Sequence, residues 1–94
     1  RKKKLAPNDT DAARHEFAYL LRVRCMDLDT TRPLVEREFG SLFRQWKYMG
    51  SEHTDEDGRI AEYGVDLAST VTPGVVSDML RAVPGAGVER VELR

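Results

Sequence analysis

The stretch Thr31-Arg32-Pro33-Leu34-Val35-Glu36-Arg37-Glu38-Phe39-Gly40-Ser41-Leu42-Phe43-Arg44-Gln45-Trp46 decides how this chain is read. Val35, Phe39, Leu42, Phe43 and Trp46 recur at i, i+4, i+7, i+8 and i+11, one apolar stripe of an amphipathic helix. Thr31 suits the N-cap, because its hydroxyl can accept an orphan N–H of the first turn. Pro33 suits that turn because it has no N–H to lose. Glu36, Arg37, Arg44 and Gln45 fall on the wet side. Gly40 costs roughly 1 kcal/mol against Ala inside a helix, so its presence predicts a close approach of the helix backbone to the layer beneath.

Working outward, Glu16 to Met26 alternates: Phe17, Tyr19, Leu21, Val23 and Cys25 share one face, and Arg22 and Arg24 the other. That is a half-buried strand. After the helix, Lys47 to His53 reads as a short strand, and Thr54-Asp55-Glu56-Asp57-Gly58 as a hairpin tip, with Asp57-Gly58 supplying positive φ. Ala61, Tyr63, Val65 and Leu67 alternate inward on a third strand, with Glu62 and Asp66 outward. Thr72 and Pro73 open a second helix with the stripe Val75, Val76, Met79, Leu80 and Val83. Pro84-Gly85-Ala86-Gly87 stops it, and Val88 to Leu93 closes the chain as a strand with Val91 and Leu93 inward. Strand, capped helix, strand, twice over, is the pattern of two split βαβ units. The expected fold is therefore α+β, a ferredoxin-like βαββαβ two-layer sandwich: a four-stranded antiparallel sheet, its first and third strands central, with two helices on one face. Its open face should carry Arg22 and Arg24 among Glu62, Asp66 and Glu92.

The 94 residues suffice for one domain, assigned to 16–94, and 1–15 reads as a linker. The chain is 40% hydrophobic and 33% charged with a net charge of −1, but Arg1, Lys2, Lys3 and Lys4 stand together at the start. Without those four, 11 cations face 16 acids, a net −5 that argues against nucleic acid as a partner. A short basic run leading into a folded domain is typical of the cytoplasmic end of a transmembrane helix. The expectation is a domain of a larger membrane protein, on the cytoplasmic face of the membrane, with Arg1 to Lys4 touching anionic lipid. A basic linker in a cytoplasmic multidomain protein is the alternative.

The residue types that carry chemistry are sparse. With Gly58 in the sixth slot of a calcium loop, Asp55, Asp57 and Ile60 fit, but His53 and Gly64 occupy the first and twelfth, where acidic ligands belong. No metal or other cofactor is expected. Cys25, the only cysteine, sits in a strand as a small apolar residue. Neither His15 nor His53 has a nucleophile paired with it by sequence. The segment Met26-Asp27-Leu28-Asp29-Thr30-Thr31 after the first strand is acidic and lacks glycine, unlike the phosphate loop of the acylphosphatases that share this fold. No enzymatic activity is expected.

The stretch Tyr19-Leu20-Leu21-Arg22-Val23-Arg24-Cys25-Met26-Asp27, the helix after it, and the ending Val83-Pro84-Gly85 with Val88-Glu89-Arg90-Val91-Glu92-Leu93 resemble an ACT-like regulatory domain. The likeness covers about residues 16 to 94 and, with the basic lead-in, looks like the C-terminal cytoplasmic domain of bacterial multi-pass membrane proteins such as the MgtC type. It implies a non-catalytic regulatory or assembly domain. It also implies an alternative: a small-ligand sensor holding a polar metabolite at the first strand–helix loop, through Asp27, Asp29, Thr30 and Thr31, completed by a homodimer partner. Asp27 matches the Asp of the ligand loop in that family. The Gly that comes after it there is replaced by Leu28, Asp29, Thr30 and Thr31.

Overall fold

A computed structural model describes residues 17–54 and 57–94. It contains β1 (Tyr19–Cys25), α1 (Leu28–Leu42), β2 (Phe43–His53), β3 (Arg59–Leu67), α2 (Pro73–Arg81) and β4 (Val88–Leu93). The strands form one sheet in the order β2-β3-β1-β4, antiparallel at every pairing. This is the α+β sandwich expected from the sequence, with β1 and β3 central. Arg1, Lys2, Lys3 and Lys4, with the rest of the linker, lie outside the described residues, as do Asp55 and Glu56 of the hairpin tip.

Alternation places Leu21, Val23 and Cys25 of β1 and Ala61, Tyr63 and Val65 of β3 on the helix-covered face, each fully buried. Val35, Phe39 and Leu42 descend on them from α1, and Val76 and Leu80 from α2. Phe39 is the hub. Its ring meets Phe43, Trp46 and Tyr63 edge-on at 4.9, 5.0 and 4.9 Å between centroids.

The first helix departs from its sequence reading at both ends. It starts at Leu28, capped by Asp27 rather than Thr31. Thr31 lies inside it, buried, and its hydroxyl donates to the Ala86 carbonyl. Pro33 falls on the sixth helical residue, where its missing N–H leaves the Asp29 carbonyl without its i+4 donor. The helix ends at Leu42, so Phe43 and Trp46 belong to β2, which is eleven residues long rather than short. A register shift between Phe43 and Gln45 explains the misreading. The extra residue of that bulge puts Phe43 and Trp46, three apart, on one face of a strand, which mimics helical spacing. Trp46 stays partly exposed against the rings of Phe39 and Tyr63.

Smaller corrections have equally local causes. A Cβ on Gly40 would meet nothing within 4 Å, so no close approach explains this glycine. At the hairpin tip Asp57 takes positive φ, at 65°, and Gly58 does not. Gly58 is there for space, since a Cβ would lie 2.9 Å from Thr54 Oγ1. Phe17 packs on the open face rather than in the core, its ring filling the room left by Gly64, where a Cβ would sit 2.6 Å from Phe17 Cδ2. In α2, Thr72 caps as expected, accepting from the Val75 N–H, but Val75 and Met79 are 40% and 39% exposed. Each precedes a buried residue by one, about 100° round the helix.

Candidate functional site

The junction of β1 and α1, expected as an open loop, is the first turn of a helix. One Asp27 carboxylate oxygen accepts from the Asp29 N–H at 3.1 Å and the other from the Thr30 hydroxyl at 2.9 Å. Asp27, Asp29 and Thr30 remain at the surface, while Thr31 is withdrawn into the core. The structure thus brings Asp27, Asp29 and Thr30 together at the surface, while the buried Thr31 gives its hydroxyl to the Ala86 carbonyl and lines an open cleft with Asp27 and Thr30.

Beside this turn lies an open cleft of about 300 Å³ between α1 and strands β2 and β3. Asp27 and Asp29 stand on one side of it, with Arg32, Tyr48, Ser51 and Arg59 around the rest. The Arg32 guanidinium carbon sits 3.5 Å from the centre of the Tyr48 ring, a cation–π contact. Its Nε donates to Glu36 Oε2 at 2.8 Å, and the Tyr63 hydroxyl donates to the same oxygen at 2.7 Å. Burial, and then the hydrogen bond to Glu36, hold the Tyr63 phenol well above its ordinary range. Arg59 Nη1 lies 3.1 Å from His53 Nε2. None of Arg32, Glu36, Tyr48 and Arg59 was expected at a site from sequence. The i, i+4 spacing of Arg32 and Glu36 was the available signal, but the strand residues that complete the cluster meet them only through the fold.

On the open face the register sets Arg22 between Glu62 and Glu92 as expected, but the ion pairs reach beyond those residues. Arg22 pairs with Glu52, and its Nε lies 3.2 Å from Glu62. Arg24 pairs with Glu89 at 3.4 Å. Glu92 engages Arg90 at 3.2 Å and Arg94 at 3.4 Å, not the central arginines. Asp66 sits apart, accepting from the Ala18 N–H at 2.7 Å and from the Gln45 amide. Those bonds, the Ala18 N–H first, hold its carboxyl below the usual carboxylate range.

Comparison with known protein families, curated proteins and solved structures finds no match to this chain. Among the described residues, no three His, Cys, Asp or Glu side chains gather as metal ligands, and no helix is long and apolar enough to cross a membrane. Cys25 is a free thiol buried in the core, without access to a substrate.

Proposed function

We propose that this chain is a non-catalytic regulatory or assembly module of the ACT-like kind, held on the cytoplasmic side of a membrane protein that continues from Arg1 to Lys4. The observation that carries the reading is the engagement of the β1–α1 junction in the fold itself. Asp27 caps the helix and Thr31 bonds Ala86, so the groups best placed to take a ligand at this end of the sheet already have structural partners. What such a domain offers is its surface.

A sensor is the second reading, favoured by the cleft that sets Asp27 and Asp29 near Arg32 and Arg59. Opposite charges facing one small opening suit a polar or zwitterionic metabolite. A thermal-shift screen with amino acids, nucleotides and divalent ions separates the two, because any ligand of the folded state raises its melting temperature. The module reading expects no shift. A shift that disappears in Arg59→Ala establishes the sensor instead. For the membrane setting, the chain should cosediment with phosphatidylserine vesicles at low salt, and replacing Arg1 to Lys4 with Ser should abolish this while leaving the fold intact. Equal sedimentation of the neutral variant overturns the placement.

A further inference from the structure

The face of the sheet turned away from the helices holds an opening of about 180 Å³. Arg22 and Arg24 of β1, Arg90 and Glu92 of β4, and Arg94 just beyond it line the opening, with the half-buried Ile60 of β3. The arginines are two apart on each strand, so the pleat turns them all to this face. Among the lining residues, four guanidinium groups share one carboxylate.

The register makes that arrangement unfavourable in the empty state. Arg24 stands directly opposite Arg90, and like charges so placed destabilise a sheet. Glu92 stands opposite Arg22, yet its carboxylate lies 3.2 Å from Arg90 Nη2 and 3.4 Å from Arg94 Nη2. One acid thus serves two cations, whose side chains are 69% and 60% exposed. Ion pairs that wet contribute little to stability. Glu52 and Glu62 on Arg22, and Glu89 on Arg24, stand outside the lining of the opening. Arg22 Nε is buried, and although Glu62 lies 3.2 Å away, this N–H meets no acceptor at hydrogen-bonding geometry.

We propose that the opening binds one phosphate group, as inorganic phosphate or the end of a phosphate monoester, between Arg24 and Arg90, with Arg22 and Arg94 as further donors. A guanidinium presents five N–H donors in a planar fork that matches two phosphate oxygens at once. Among the described residues Arg90 and Arg94 each engage Glu92 through one terminal nitrogen, and the rest of each fork can turn to an anion. A phosphate monoester carries about −1.5 to −2 charges at pH 7, which offsets two opposed guanidiniums, where a carboxylate brings one charge. The size agrees. Pockets that enclose whole small molecules measure roughly 300–1,000 Å³, so this opening takes the phosphate and leaves its carrier in solvent. The site lies on the other face of the sheet from the cleft of Arg32 and Arg59, and it goes beyond the module reading by giving the module a ligand. In the thermal-shift screen, a nucleotide held here by its phosphate keeps its shift in Arg59→Ala and loses it in Arg90→Gln, so the two sites are read apart.

The test is an NMR titration of the full chain with inorganic phosphate against chloride at equal ionic strength. Backbone amides of residues 22–24 and 90–94 should shift saturably. Arg90→Gln and Arg24→Gln should each weaken binding roughly tenfold or more, while Arg37→Gln, exposed on α1, should bind as wild type does. Arg90→Gln should also keep or raise urea stability in chloride, because it removes the repulsion with Arg24, and this separates lost binding from lost folding. Shifts that do not saturate, or equal affinity in Arg90→Gln and wild type, overturn the proposal. Vesicles then identify the carrier, with Arg1 to Lys4 replaced by Ser to remove the basic run. Cosedimentation with phosphatidic acid but not phosphatidylserine, abolished by Arg90→Gln, assigns a lipid headgroup. Phosphate binding without such cosedimentation assigns a soluble phosphate.

Discussion

The two helices lie on the same sheet but are held there by different means. α2 has nine residues and its start is governed locally: Thr72 caps it, Pro73 opens it, and Gly85 and Gly87 take positive φ in the loop beyond its end. α1 has fifteen, tolerates Pro33 inside, and sends the hydroxyl of Thr31 across to a loop 55 residues away in sequence. Its stripe of Thr31, Val35, Phe39 and Leu42 is buried throughout, whereas α2 buries only Val76 and Leu80. The contrast teaches that a helix with a deep apolar stripe can override its own local punctuation. Packing by an amphipathic face outweighs the signals at the ends.

The largest expected effect tests that inequality directly. Phe39→Ala empties the centre of four aromatic rings and should cost about 3–5 kcal/mol, while Leu80→Ala in α2 should cost about 2–5 kcal/mol. Urea denaturation measures both. If Leu80→Ala proves the more damaging, α1 is not the dominant helix. Next comes Thr31→Val, which keeps the volume but leaves the Ala86 carbonyl buried without its donor, at about 1–3 kcal/mol. A loss within error would show that the link between α1 and the Pro84–Gly87 loop contributes nothing.

The caps sharpen the comparison further. Thr72→Ala should destabilise by about 1 kcal/mol, and Asp27→Ala by a similar amount through the lost bonds to the Asp29 N–H and the Thr30 hydroxyl. If Asp27→Ala were neutral while Thr72→Ala was not, α1 would be held by packing alone. The smallest effect has the opposite sign. Gly40 is exposed in mid-helix with open space where a Cβ would go, so Gly40→Ala should stabilise by about 0.5–1 kcal/mol. A destabilisation would mean that the glycine meets a partner at that position.

Most of the architecture was legible in the residues. Period-two alternation marked β1 and β3, Thr72-Pro73 marked the start of α2, and the repeat of strand, helix and strand marked the sheet order. The extent of α1 was not legible. Asp27 and Thr31 stand four apart, and either can cap a helix. Which one does depends on whether Thr31 finds an acceptor in the core. Likewise, the bulge after Phe43 gives a strand the spacing of a helix, and nothing local distinguishes the two. Of the candidate site, Asp27, Asp29 and Thr30 were named and do come together. Arg32, Glu36, Tyr48, Tyr63 and Arg59 were missed at the site because α1, β2 and β3 meet only after folding.

By itself the sequence determined that this chain makes a two-layer α+β sandwich, because apolar periodicity is a local property that each segment carries wherever it is placed. Tertiary structure alone decided where α1 begins and ends, which charges pair on the open face, and which arginines stand side by side there. Those outcomes depend on partners distant in the chain: a carbonyl at Ala86 for Thr31, glutamates at 52 and 62 for Arg22, and a ladder between β1 and β4 that sets Arg90 opposite Arg24.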